Sequence, residues 1–246
     1  MPEQAYALIF APHPDDAEGG IGGTMARWAR EGKGVVLVVC TNGDKGTNDP
    51  KIKPAELVKI REVEQRKAAE HMGVREVIFL GHPDQCLEDE PVFRREVARL
   101  IRQYKPDVIA TTDPTRRLMS HPDHRNTGRV VLDAVSLYSH NLYAFPELYF
   151  DEGLELHRVK EVLLWGAEAP NCCMDITDTF DSKMNALQCH VSQFGEPNPE
   201  RPKRMRERYK QQAEKEEFEL GESLQRVPIG PPGGPPRPPA APPAER

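Results

Sequence analysis

"YALIFAPHPDDAEGG", Tyr6–Gly20, is the stretch on which the fold turns. Tyr6–Ala11 is an unbroken apolar run and reads as a strand buried on both faces. A histidine and three acids follow at once, His13, Asp15, Asp16 and Glu18, and then glycines that lead into a helix over Gly22–Glu31. Like-charged carboxylates crowded at one turn repel each other, so the cluster is costly unless a cation sits among them.

The same alternation repeats outward from this stretch. "GVVLVVC" (Gly34–Cys40) precedes a helix over Pro54–Met72, "EVIFL" (Glu76–Leu80) one over Val92–Tyr104, and "PDVIATT" (Pro106–Thr112) one over His124–Leu137. Strands apolar on both faces and separated by helices predict an α/β fold, a Rossmann-like doubly wound, mostly parallel sheet with helices on both faces. "VKEVLLWGA" (Val159–Ala167) reads as a further strand, and Ile176–Phe194 as a helix with Thr177 as N-cap. Arg201–Glu219 reads as a charged, solvated surface helix. The expected organisation is one domain over 1–225 and a Pro/Gly-rich tail over 226–246, which has almost nothing to bury and is expected to be disordered or polyproline-like.

Composition narrows the function classes. The 246 residues suffice for one large domain with a substantial core, and 38% hydrophobic with 29% charged residues is ordinary for a globular protein. With a net charge of -6 and no basic stripe, a nucleic-acid partner is not expected. No apolar run approaches the ~20 residues that span a bilayer, so no membrane partner is expected either. The N-terminus lacks a secretory pattern, and the five cysteines form no CxxC pair or even framework, which points to a reducing cytoplasm.

In a parallel sheet every strand-to-helix turn lies along one edge, where ligands bind. Four polar turns should therefore face one crevice: "HPDDAE", "TNGDKG" (Thr41–Gly46), "GHPDQ" (Gly81–Gln85) and "SHPDHR" (Ser120–Arg125). His13, Asp16 and one histidine of "HPDH", His121 or His124, supply two imidazoles and a carboxylate, the ligand set of a catalytic zinc. Such an ion removes the repulsion between Asp15 and Asp16, and the free carboxylate beside it is placed to act as a general base. "GGIGG" (Gly19–Gly23) is out of register for a dinucleotide fingerprint, since Met25 stands where the third glycine belongs, and the acids before it would repel a pyrophosphate. These glycines serve a tight turn and close helix–sheet packing instead.

"PHPDDAE", "HPDHR" and "DITDTFDSKMNALQCHVSQ" together resemble the LmbE-like (PIG-L) family of metal-dependent N-deacetylases, over about Ala5 to Phe194. The resemblance implies a hydrolase that removes the acetyl group from an N-acetylglucosamine-containing substrate. It implies that His13, Asp16 and His124 hold zinc, or another divalent ion such as Fe2+, with Asp15 as general base. It further implies that His121 steadies the oxyanion or acts as general acid, that Asp123 orients the His121 ring, and that Arg61 and Asp84 contact the sugar. Two departures stand out: Ala17 separates the aspartate pair from Glu18, and His82 stands where an apolar residue is commoner. His82 reads as a loop histidine and His190 as a structural one. The alternatives are an amidase of a thiol conjugate or another amide on the same site, and a non-catalytic sugar- or nucleotide-binding module. Loops Lys45–Lys53 and Thr115–Met119 are expected to build the aglycone pocket, with Arg116 and Arg117 as solvated arginines or as an attraction for an acidic group. Ser136–Phe150 concentrates aromatic residues and, with relatives that assemble as trimers or hexamers, points to a homo-oligomer contact beside the mouth of the site; a lid there is the alternative.

Overall fold

All five residues of β1 (Ala7–Ala11) and all seven of β2 (Val35–Thr41) are buried, as continuous apolar strands between two helical layers must be. The computed structural model describes residues 3–118 and 121–230. After β1 and β2, which are followed by α1 (Asp16–Arg30) and α2 (Pro54–Met72), come β3 (Glu76–His82), α3 (Pro91–Tyr104), β4 (Val108–Thr112), α4 (Pro122–Asp133) and α5 (Pro146–Phe150). Then follow β5 (Glu161–Trp165), β6 (Cys172–Asp175), α6 (Phe180–Gln188), α7 (Val191–Phe194), α8 (Glu200–Gln212) and β7 (Gly221–Pro228). The described strands form one sheet in the order β3-β2-β1-β4-β5-β7-β6. β1 to β5 pair in parallel, whereas β7 runs antiparallel to both β5 and β6. The predicted α/β class holds.

Alternation along the strands sorts the core into two layers. Leu8, Phe10, Val36 and Val38 pack against Phe93, Val97 and Ile101 of α3 and Val130 and Val131 of α4. Ala7, Ile9, Leu37 and Val39 face the other way, against Ile21, Met25 and Trp28 of α1 and Ala68 and Met72 of α2. The glycines of α1 admit close neighbours. A Cβ at Gly20 would stand 2.5 Å from the Trp165 ring, and one at Gly23 would stand 2.6 Å from Ile176. Gly20→Ala is therefore expected to destabilise the fold by about 1–3 kcal/mol through overpacking, read as a lower denaturant midpoint at unchanged m-value.

Several boundaries differ from expectation. α1 begins at Asp16 rather than Gly22, because Asp16 and Glu18 suit the positive end of a helix and Asp15 turns the chain in the left-handed region at φ 93°. α4 begins at Pro122, a residue pre-set for the first helical position, so His124 lies inside its first turn. Thr177 is no N-cap: its amide donates to Asp175 Oδ1, its hydroxyl accepts from Leu220 N, and α6 starts after a 3-10 turn. The charged stretch is helical only to Gln212, and β7, unread in the sequence, follows it. Pro228 pairs with Glu161, so Arg226–Pro228 belong to the sheet rather than to a tail; residues 231–246 of the expected tail lie outside the described residues.

Ser136–Phe150 is also placed differently. Arg102, near the C-terminal end of α3, donates to the carbonyls of Tyr138, Asn141 and Phe145, and Leu148 is buried against Ala98. That helix end leads into the start of β4. The segment thus lies at the edge of the sheet opposite the four polar turns, not at the mouth of the crevice.

Candidate active site

The four polar turns are tied to one another. Thr41 N and Oγ1 both donate to Pro12 O, joining the second turn to the first. Asn42 N donates to His82 O, joining the second turn to the third. Within the first turn, His13 N donates to Asp16 Oδ2 at 2.9 Å, which folds the aspartate back toward the His13 ring.

Asp16 Oδ2 then lies 3.1 Å from His13 Nδ1 and 3.2 Å from His124 Nε2. These three ligand atoms fall within 4.8 Å of one another, and so do ligand atoms of a second group, His13, Asp84, His121 and Asp123. His13 decides between them. Its Nε2 faces the buried Asp84 Oδ1 at 3.0 Å and Asp123 Oδ2 at 3.1 Å, the placement of carboxylates that fix the tautomer of a metal-ligating histidine. Its Nδ1 faces Asp16, which lines a large cavity together with His124, whereas Asp84 and Asp123 do not line it. Two imidazoles and a carboxylate, with Asp16 and His124 at the cavity wall and His13 buried behind them, fit a divalent ion of the zinc type. Burial opposes a charge on His13, yet bonds with Asp123, Asp16 and Asp84 prevail and push its pKa up to about 11. Without a metal, the carboxylates gather a positive charge at this ring. Burial opposes ionisation of Asp16 as well, but bonds with His124 and His13 hold its pKa well below the usual range.

Asp15 is held from three sides. Its amide donates to Gln65 Oε1, Arg61 Nη2 donates to its Oδ2 at 3.1 Å, and its own carbonyl accepts from Gly19 N. Burial and then the Asp16 charge push its pKa up to about 7 against the opposing pull of Arg61. A carboxylate in that range is tuned for proton transfer near neutral pH. His121 is lowered by burial and by the His13 charge. Its Nδ1 accepts from the backbone amide of Asp123 at 3.3 Å, which leaves the proton of the neutral ring on Nε2. The Asp123 carboxylate is 4.0 Å from His121 Nδ1 and turns instead to His13, Gln85 N and Leu87 N.

The remaining expected residues fall behind this front. Arg61 is buried and also donates to Gly43 O and Pro14 O, so it staples the first two turns and does not line the cavity. A Cβ at Gly43 or Gly46 would meet its Nη1 at 2.4 or 2.5 Å, which explains both glycines of "TNGDKG". Glu18 is buried and accepts from Gln65 Nε2, with the buried His190 ring 3.8 Å away. His82 pairs with Glu96 at 2.6 Å and stays apart from the metal ligands. Gln65 was missed, although Arg61 and Gln65 share the buried face of α2 at i, i+4 spacing, which was the available signal.

The cavity is about 930 Å³. Arg116 and Leu118 of the Thr115–Met119 loop line it, and no residue of Lys45–Lys53 does; Met119 lies outside the described residues. Its other wall is C-terminal, with Trp165, Phe194, Arg208, Tyr209 and Gln212. α8 is therefore a cavity wall rather than only a solvated face. Arg117 is exposed, its backbone amide bonded to Glu168.

Comparison with known proteins shows the family and the fold. Residues 8–135 match the family model described as PIG-L, GlcNAc-PI de-N-acetylase. The chain is 33% identical to the diacetylchitobiose deacetylase of Thermococcus kodakarensis over 77% of its own length and 70% of the relative's. It is 27% identical to a probable N-acetyl-alpha-D-glucosaminyl L-malate deacetylase 2 of Bacillus anthracis, over 79% and 84% of the two chains. The solved N,N'-diacetylchitobiose deacetylase of Pyrococcus horikoshii superposes with a TM-score of 0.83 at 30% identity, covering 90% of this chain and 83% of the other.

Proposed function

The chain belongs to the PIG-L family of GlcNAc-PI de-N-acetylases, and from that premise we propose that it is a zinc-dependent hydrolase removing the acetyl group from an N-acetylglucosamine-containing substrate. The observation that carries the reading is the convergence of the buried His13 with Asp16 and His124, which line the cavity beside Asp15. A catalytic enzyme displaces the binding-module alternative.

His13, Asp16 and His124 would hold the zinc, which polarises the amide carbonyl and lowers the pKa of water. Asp15 accepts a proton from the attacking water, and Arg61 fixes the carboxylate through Oδ2. His121, neutral and protonated on Nε2, donates to the oxyanion of the tetrahedral species. The proton taken by Asp15 passes to the departing nitrogen, so the products are the free amine and acetate. Asp84 and Asp123 keep the His13 ring oriented. Arg61 and Asp84 act on the substrate through Asp15 and His13 in this reading.

The test is acetate release from N-acetylglucosaminyl malate, N-acetylglucosaminyl inositol and diacetylchitobiose with zinc supplied. Chelator-sensitive release from one of them is the expected result. No release from any, with metal analysis showing no bound divalent ion, overturns the proposal; cleavage of a thiol-conjugate amide alone would make it an amidase. No helix among the described residues is long and apolar enough to cross a membrane. The five free cysteines support a cytoplasmic location. Exposed Leu137, Tyr143, Tyr149 and Phe150 support a homo-oligomer joined at the far edge of the sheet, and a monomer mass by light scattering would end that reading.

A further inference from the structure

α1 is not one continuous helix. Ile21, at φ -142° and ψ 16°, breaks it between the turn that carries Asp16 and the segment that packs on the sheet. A break strands carbonyls on one side and amides on the other, and each needs a partner when buried. Here the partners come from far along the chain. Glu222 of β7 accepts from Gly23 N at 2.9 Å, Thr24 N at 2.8 Å and Thr24 Oγ1 at 2.6 Å, acting as an N-cap for the second segment. Lys183 of α6 donates to Gly19 O at 3.0 Å, closing the end of the first segment, and to Glu222 Oε1 at 2.6 Å.

Lys183 is 0% and Glu222 1% exposed. A desolvated ion pair is costly unless every remaining donor and acceptor is used, and these two spend theirs on the backbone of α1. Tyr209 completes the arrangement: its hydroxyl donates to Gly19 O at 3.3 Å and its ring lies 4.7 Å from Lys183 Nζ. Gly19 thus has its carbonyl fixed by Lys183 and Tyr209 while its amide donates to Asp15 O at 3.2 Å. One peptide step separates the buried pair from the turn that bears Asp15 and Asp16.

We propose that Lys183 and Glu222 are a positioning pair for the reaction, setting through the Ile21 break the orientation of the turn that presents Asp15 and Asp16 to zinc and substrate. The proposal rests on the deacetylase reading for its chemistry, but zinc affinity tests it separately. Lys183→Met combined with Glu222→Gln removes both charges and leaves no lone buried ion. Glu222→Asp keeps the charge and withdraws the carboxylate by one methylene. In each, zinc affinity from chelator competition is expected to fall about tenfold or more, the range found for groups that orient metal ligands. The kcat should fall with KM within about twofold of the unaltered protein. Either variant, folded and cooperative in unfolding but with unaltered zinc affinity and kcat, overturns the proposal.

A further measurement needs no variant. Coupling is reciprocal, so zinc must slow hydrogen exchange at the Gly23 and Thr24 amides by more than it slows amides of α3 on the opposite face. Equal protection with and without zinc overturns the proposal even where both variants fail to fold. Unaltered protein that binds zinc and shows the protection yet releases no acetate sinks the deacetylase reading and leaves the pair standing. Active protein whose exchange ignores zinc sinks the pair alone.

Discussion

Asp15→Asn is expected to lower kcat for acetate release by ~10²–10⁴-fold while zinc remains bound. The substitution is close to isosteric, and asparagine tolerates the left-handed backbone at φ 93° better than most residues, so strain does not confound the result. The side-chain oxygen still accepts from Arg61, and the backbone amide still donates to Gln65. What is lost is the capacity to take a proton. Burial and the Asp16 charge raise the Asp15 pKa to about 7, and a bound dication would draw it down from there. The carboxylate is the active form, so kcat/KM in the unaltered enzyme should fall as pH drops through a pKa at or below about 7. That acidic limb should vanish in the variant. Turnover equal to the unaltered enzyme, with the limb intact, would show that Asp15 is not the base.

Asp16→Ala should abolish activity by another route, through loss of the metal itself. Asp16 Oδ2 is the point on which His13 N, His13 Nδ1 and His124 Nε2 all converge, so its removal deletes a ligand and also unfastens the other two. Purified variant is expected to retain essentially no zinc by elemental analysis and to release acetate only at background. A variant with one zinc per chain and measurable turnover would move the metal to the second group, His13 with Asp84, His121 and Asp123. The two substitutions separate cleanly, since one removes chemistry with zinc present and its neighbour removes zinc.

The parallel half of the fold was legible because its signals are local. Runs such as "VVLVVC" can only be strands covered on both sides, and parallel pairing forces every following turn to one edge, so "HPDD" and "HPDH" had to meet. Which side chain faces which was not legible, since that depends on angles between turns far apart in sequence. Asp84 and Arg61 were expected at the sugar, yet the structure sets them behind His13 and Asp15. β7 escaped for a different reason. "GESLQRVP" carries charged residues within a strand, and Glu222 makes sense as a buried residue only once Lys183, 39 positions earlier, lies beside it. The far wall of the cavity was hidden likewise, because α8 is mostly charged and buries only Tyr209.

The strand order has a consequence for how the molecule comes together during synthesis. Among the described strands β6 pairs only with β7, and β7 is the later of the two in the chain. A nascent chain emerges N-terminus first. Strands β1 to β5, with His13, Asp16 and His124 already on their turns, can therefore pair while β6 waits unpaired for its neighbour. The contact between Glu222 and Gly23 closes a separation of 199 residues, the slowest kind of contact to make. Ligands for a metal are thus in place before the aromatic wall and the cap on α1 exist, and a captured ion would meet a half-built vessel whose substrate side closes last.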